Sequence, residues 1–314
     1  MEAVTIIIPT YNSGRFVTDA IESALRQTHA PAQIIVVNDG STDDTNERLI
    51  PFGDRITVIN QSNQGAAAAR NAGLRIATGE FVAFLDADDV FHPRKLELQL
   101  AVLRRRLEIQ MLGTRCFDYP CQTVPEVSID ARVEEVALDR LLVRNYFTAS
   151  SIIVRREIVE RLGGFDATVP NVEDFDLWQR IAQVGAVANL DSPLTGYRAV
   201  AGSISRRPDG VERGIRRILC KLDEQNAWRG RNWLRRKAFS HLHYSIAYLH
   251  SAAGRQGVAL WEMLQSIAWY PFPYQRHEVG AALARPRRTM VLSLRLFGLK
   301  RPEAPLLAGN PVEI

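Results

Sequence analysis

The 314-residue sequence is poor in cysteine: Cys116, Cys121 and Cys220 are odd in number and show no CxxC spacing. That argues against a disulfide framework and a cysteine zinc site, and makes a reduced, cytoplasmic compartment the expectation. Nowhere do eighteen apolar residues run together, so no membrane-spanning helix is expected. Met1-Glu2-Ala3-Val4 leads straight into a strand-like run without a basic leader, and secretion by that route is not expected. Pro9-Thr10-Tyr11-Asn12 follows the first apolar run where a dinucleotide site would show GxGxxG, and no GxxxxGK(S/T) stretch occurs. Nicotinamide, flavin and P-loop chemistry are therefore not expected. His241 and His243 lie two apart, on different faces of a helix, and His250 is too distant for a common zinc spacing. No RNA- or DNA-binding motif is present, so nucleic acid is not an expected partner.

What is present centres on Phe81-Val82-Ala83-Phe84-Leu85 followed by Asp86-Ala87-Asp88-Asp89. Five apolar residues read as a strand buried on both faces, as in a parallel sheet covered by helices. Ligands of open parallel sheets lie beyond the carboxyl ends of the strands, where these acids fall. Asp86 and Asp88, two apart in an extended segment, point the same way and can share one hard cation. A plain polar turn is the competing reading.

Charge is unevenly spread. Residues 201–314 hold 19 Lys and Arg against 8 Asp and Glu, whereas residues 1–200 hold 20 against 27. The length predicts a large first domain over 1–205 and an appendage over 206–314. The basic end suits either an anionic lipid or phosphate surface, or ordinary solvated helix faces.

Along the chain, Val4–Ile8 reads as a buried strand closed by Pro9, Phe16–Gln27 as an amphipathic helix and Ile34–Val37 as a second strand. This is a βαβ unit. Asp39 sits just past the second strand, where a carboxylate can accept hydrogen bonds from a base or ribose, while Ser41–Asp44 suit a helix cap. Arg55–Ile59 reads as a third strand. The alanine-rich helix through Ala66–Leu74 brings Arg70 toward an acid or a phosphate, with a surface ion pair as the alternative. Leu96–Leu107 reads as a basic helix, Pro120–Val133 as irregular and Ala149–Arg155 as a strand. Beyond Ser205, Gly210–Trp228, Arg231–Ala253, Gly257–Trp269 and Ala281–Phe297 read as helices. Trp261, Trp269, Tyr270, Phe272 and Tyr274 beside Arg276 suit an interface or internal packing equally.

Thr5–Asn12, Val36–Asp43, Asn63-Gln64-Gly65 with Ala69–Gly73, and Phe84–Asp89 together resemble the successive signatures of family 2 glycosyltransferases. Val172-Glu173-Asp174-Phe175-Asp176-Leu177-Trp178 resembles that family's ED motif. The resemblance implies a GT-A fold, Rossmann-like, with a mixed and mostly parallel sheet flanked by helices, here followed by an α-helical carboxyl-terminal extension. It implies an inverting transfer of sugar from a nucleotide-sugar donor, UDP-linked, to a saccharide or lipid-linked acceptor, with Mn2+ or Mg2+. Pro9, Tyr11, Asn12, Asp39, Arg70, Asp86, Ala87 and Arg198 would then line the donor site, and Asp86 and Asp88 would hold the metal. Asp174, ahead of Glu173, would be the base; a helix-dipole role for these acids is the alternative. Trp178 suits a core position better than a sugar platform. One departure stands out: Val200 occupies the place of a histidine often found two residues after the family's arginine. A sugar-phosphate nucleotidyltransferase and a catalytically silent scaffold are the rival classes. A cytoplasmic protein, with peripheral contact at the inner face of a membrane through the basic end, completes the expectation.

Overall fold

The computed structural model describes residues 2–200, 207–274 and 284–296. The chain divides into two compact units: residues 1–138, 146–167 and 173–200 form the first, and 139–145, 168–172 and 201–314 the second. The expected border at 205/206 falls outside the described residues.

The first unit alternates strands and helices: β1 (Val4–Thr10), α1 (Val17–Leu25), β2 (Gln33–Asn38), α2 (Thr45–Leu49), β3 (Thr57–Asn60), α3 (Ala66–Ile76), β4 (Phe81–Phe84), β5 (Val90–Phe91), α4 (Lys95–Arg105), β6 (Ile109–Tyr119) and β7 (Val133–Glu135). After residues 139–145, which belong to the second unit and hold most of α5 (Leu138–Leu141), come β8 (Ile153–Arg155), α6 (Arg156–Arg161), α7 (Glu173–Ala182) and β9 (Ala186–Arg198). One sheet runs in the order β3-β2-β1-β4-β8-β6-β9-β5, with β7 also paired to β9. Strands β1 to β4 are mutually parallel, as is β6 to β9, while β8 joins the halves by antiparallel pairing to β4 and β6. This is the expected mixed, mostly parallel sheet. Strands β1, β2 and β4 are near-continuous Ile, Val and Phe because both faces are covered. Val17, Ala20, Ile21 and Ala24 of α1 enter that core at helical spacing.

Several elements differ from expectation. β1 continues through Pro9 to Thr10. Its rungs with β4 stop at Ile7 and Phe84, so no ladder partner asks for the N–H that Pro9 lacks. β3 starts two residues later than expected, because Ile50–Arg55 form a 3-10 turn. Only Ile153–Arg155 of the expected strand 149–155 is extended, and Ala149–Ser151 make a 3-10 turn. β5, β6, β7 and β9 are strands not expected from the sequence, and β7 takes in Val133 at the end of the stretch expected to be irregular. β6 and β9 carry Gly, Asp and Pro193, residues poor in strands; Pro193 is tolerated opposite Arg115, where the register shifts.

The second unit is helical, as expected: α8 (Pro208–Glu224), α9 (Asn232–Ala252), α10 (Gln256–Trp269) and α11 (Ala284–Leu296). Ala281 to residue 283, Phe297 and Arg276 lie outside the described residues. His241, His243 and His250 are buried, and His243 Nδ1 meets Glu262 at 2.6 Å. Burial, then the charges of Arg144, Lys237 and Arg285, pushes His241 down to about 3, so it stays a neutral packing residue. The aromatic group separates: Tyr274 is buried and stacks on Tyr270, Trp269 stacks on Phe239, while Trp261 and Phe272 are exposed. All three cysteines are free thiols. No described helix is long and apolar enough to cross a membrane.

Candidate active site

The site is assembled from loops at the carboxyl ends of β1, β2 and β4. Beyond β1, Asn12 adopts a left-handed φ of 49°, a conformation that Asn tolerates better than most residues. Its N–H donates to Ser41 Oγ (2.9 Å) and its Oδ1 accepts from Thr42 N–H (2.8 Å), which stitches the loop after β1 to that after β2. Tyr11, beside it, is 46% exposed and presents an aromatic face to solvent. Pro9 is buried beneath. Asp39 is buried too: Oδ1 accepts from Gln61 Nε2 (2.7 Å) and Gln64 N–H (2.9 Å), and Oδ2 from Gly65 N–H (2.7 Å). The carboxylate expected to face a base thus also holds the loop that opens α3.

Two residues after β4 ends, the acids form a tight turn closed by Asp89 N–H donating to Asp86 O (3.0 Å). Ala87 has its methyl in the core, leaving its backbone as the part able to meet a ligand. Burial, then the charge of Asp86, pushes Asp88 up to about 6. Burial, then Asp88 and Asp86, holds Asp89 well above the usual carboxylate range. Like charges this close disfavour one another, and a cation relieves them. Arg198 braces the turn: its N–H donates to Asp89 Oδ1 (3.1 Å), Nε to Asp88 O (2.9 Å) and Nη2 to Asp19 Oδ2 (2.6 Å). Its guanidinium lies over the rings of Phe16 and Tyr119. Much of the arginine expected to meet a diphosphate is therefore engaged within the protein.

Among the described residues no three His, Cys, Asp or Glu side chains converge into a closed metal cage. Mn2+ and Mg2+ commonly take one or two carboxylates and complete their coordination with water and substrate phosphate. Asp86 and Asp88 fit that donor chemistry, whereas Asp89 is occupied by Ser150 and Arg198.

Arg70 projects from α3, whose small residues let it pack closely on the sheet, and it joins the two acidic groups. The buried guanidinium donates through Nη2 to Asp86 Oδ1 (2.7 Å) and through Nη1 to Glu173 Oε1 (2.6 Å), above the ring of Phe165. Burial opposes its charge, but Asp86 and Glu173 outweigh that and raise its pKa further. Glu173 is thereby tied up as an ion pair. At Asp174, burial and then the charge of Glu173 push the carboxyl up to about 7, against Arg70 and a hydrogen bond from Phe175 N–H. Asp176 instead pairs with Arg180, which ties down the carbonyls of Leu162 and Gly164. Trp178 is fully buried against Phe84 and Phe165, a core residue.

Of the residues singled out from sequence, Arg70, Asp86 and Glu173 form one ion network next to Asp174, and Arg198 reaches the backbone carbonyl of Asp88 while pairing with Asp19. Three participants were not foreseen: Asp19, Ser150 and Phe165. Asp89 was visible beside the acid pair, but nothing in the local sequence marks Ser150, whose partner lies 61 residues away.

Residues 5–162 match the profile of Glycosyl transferase family 2. An uncharacterized glycosyltransferase of Rickettsia prowazekii (strain Madrid E) is 31% identical over 190 residues, 59% of this chain and 60% of the relative. The chain thus spans less than two thirds of the length of that relative. A UDP-Glc:alpha-D-GlcNAc-diphosphoundecaprenol beta-1,3-glucosyltransferase of Escherichia coli, WfgD, is 29% identical, covering 64% of this chain and 79% of its own. The solved structure of a mannosyltransferase from Pyrobaculum calidifontis, in complex with GDP-Man and Mn2+, superposes with a TM-score of 0.59 at 19% identity, covering 96% of this chain and 81% of that one. The fold is of the GT-A kind, and the chain belongs to glycosyl transferase family 2.

Proposed function

We propose that the first unit transfers a sugar from a nucleotide-diphosphate sugar, UDP-linked, to a hydroxyl of a saccharide or lipid-linked acceptor, with inversion at the anomeric carbon. The observation that carries this reading is the buried acid pair: Glu173 is held in an ion pair by Arg70, while burial and then the charge of Glu173 push Asp174 up to about 7, suited to accept a proton. The acceptor O–H proton passes to Asp174, the acceptor oxygen bonds to the anomeric carbon, and the bond from that carbon to the diphosphate oxygen breaks. Asp86 and Asp88 would hold a Mn2+ or Mg2+ ion, which would supply charge neutralisation for the diphosphate. Tyr11 stacks on the base, Asp39 accepts from it, and Asn12 keeps the two loops together. Relatives whose names specify UDP-Glc, or whose structures contain GDP-Man with Mn2+, support the donor class and the metal. The basic second unit is proposed to rest on an anionic lipid surface at the inner face of a membrane, near a lipid-linked acceptor.

Asp174→Asn tests the assignment. Transfer should fall by roughly 100-fold or more while donor affinity stays within a few-fold, because shape is kept and the base is lost. Glu173→Gln should cost less in transfer and more in donor affinity, since it frees Arg70. If Glu173→Gln abolishes transfer and Asp174→Asn does not, the assignment within the pair is reversed. If neither matters, the base lies elsewhere; nucleotide exchange between NTP and a sugar 1-phosphate would favour a nucleotidyltransferase. Nucleotide binding without any transfer would favour a silent scaffold, in keeping with Val200.

A further inference from the structure

The Asp86–Asp89 turn makes one hydrogen bond of its own, yet it must offer Asp86 and Asp88 in a fixed relation. Besides the pair of Asp86 with Arg70, four further bonds tie it to distant segments. Ser150 Oγ accepts from Asp86 N–H at 3.0 Å and, with its single proton, donates to Asp89 Oδ2 at 2.6 Å. Asp89 Oδ1 accepts Arg198 N–H, and Arg198 Nε holds the carbonyl of Asp88. Ser150 is itself fixed. It lies in the 3-10 turn before β8, which pairs antiparallel with β4 through Ala83 and Ile153, and its carbonyl accepts from Thr195 Oγ1 of β9 at 3.3 Å. Ser150 is 0% exposed and Asp89 2%, so neither is placed to touch a nucleotide. A buried hydroxyl that serves both ends of an acidic turn is a support for the carboxylates rather than a ligand.

We propose that Ser150 and Asp89 are positioning residues that lock Asp86 and Asp88 into the arrangement that receives a divalent cation with a nucleoside diphosphate. This rests on the metal and nucleotide reading above. Removing the hydroxyl leaves Asp86 N–H without its acceptor and Asp89 with one donor fewer, so the turn loosens where the cation sits. Supporting partners of metal ligands typically contribute 10- to 100-fold in metal affinity.

The test is calorimetric titration of the full chain with UDP, and in parallel GDP, in Mn2+ and in EDTA. Ser150→Ala should weaken nucleotide binding about tenfold or more in Mn2+, with binding in EDTA changed less than twofold. Ser150→Cys, which keeps the shape and a weak donor, should fall between. If Ser150→Ala does not fold, Asp89→Asn, of equal size, should show the same metal-dependent loss. Wild-type affinity for Ser150→Ala in Mn2+, or equal losses with and without metal, overturns the proposal and leaves a purely structural role. If wild type binds no tighter in Mn2+ than in EDTA, and Asp88→Ala changes nothing, the metal reading itself fails.

Discussion

At the scale of single residues, the same feature that suits Asp174 to accept a proton makes it a burden on the fold. Its carboxyl titrates at about 7 when folded, against an ordinary value of 3.8. Between those values the folded chain keeps a proton that the unfolded chain has released, so stability falls as pH rises. The contribution is full below 3.8, is lost as pH climbs through 7, and is constant above. Asp174→Asn removes this titration. At pH 8 the variant should melt ~2 °C or more above wild type, and the gap should close toward pH 4. Thermal melts of both proteins across that range check it. Asp88, Asp89 and the buried Lys95, which burial lowers to about 7, titrate in both proteins and cancel in the difference. A gap that does not vary with pH would count against the assignment. The identity of the acids was legible in the sequence, but the division of labour between Glu173 and Asp174 was not. The proposed division rests on the pairing of Glu173 with Arg70, 103 residues away.

At the scale of elements, α3 must lie close to β1 for Arg70 to reach both acids. Gly73 marks that approach: a Cβ there would meet Ile7 Cγ2 at 2.6 Å and Cγ1 and Cδ1 at 3.2 Å. Gly73→Ala should therefore destabilise by ~1–3 kcal/mol through overpacking, despite the better helix propensity of Ala. Ile7→Ala removes all three of the crowding atoms. In that background Gly73→Ala should cost nothing or stabilise, giving a coupling of about 1 kcal/mol or more in a denaturant double-mutant cycle. Strict additivity would mean that the helix shifts freely and that its seat does not fix Arg70. Elements with strong local signals, such as Val4–Ile8, Ile34–Val37 and the amphipathic α1, could be read from sequence because burial on both faces or one face leaves a pattern. β6 and β9 could not. Their Gly113, Pro193 and Gly196 deny strand propensity, and they exist because each supplies the other's ladder across roughly eighty residues of chain. Ser150 was hidden for the same reason: its meaning depends on β8 pairing with β4.

At the scale of the whole molecule, charge divides as sharply as architecture. The first 200 residues carry an acidic excess and residues 201–314 a basic one. Within the second unit, Trp233, Trp261 and Phe272 are more than half exposed, at 52%, 59% and 63%, and Leu264 is 46% exposed. Apolar side chains left in water beside an excess of Arg suit an anionic interface, where each Lys or Arg near the surface contributes about 1 kcal/mol. The full chain should therefore co-sediment with vesicles rich in phosphatidylglycerol and not with phosphatidylcholine alone. Raising salt from ~0.1 to ~0.5 M should release it, since screening shortens the reach of the basic residues. Trp261→Ala combined with Phe272→Ala should weaken binding even at low salt, because insertion of aromatic rings is independent of charge. Equal binding to neutral vesicles would assign the attachment to apolar contact alone. Failure to bind anionic vesicles at low salt would leave the basic surface to a soluble phosphate-bearing acceptor, and the same vesicles carrying a polyprenyl diphosphate sugar would then decide whether the acceptor itself draws the protein to the membrane.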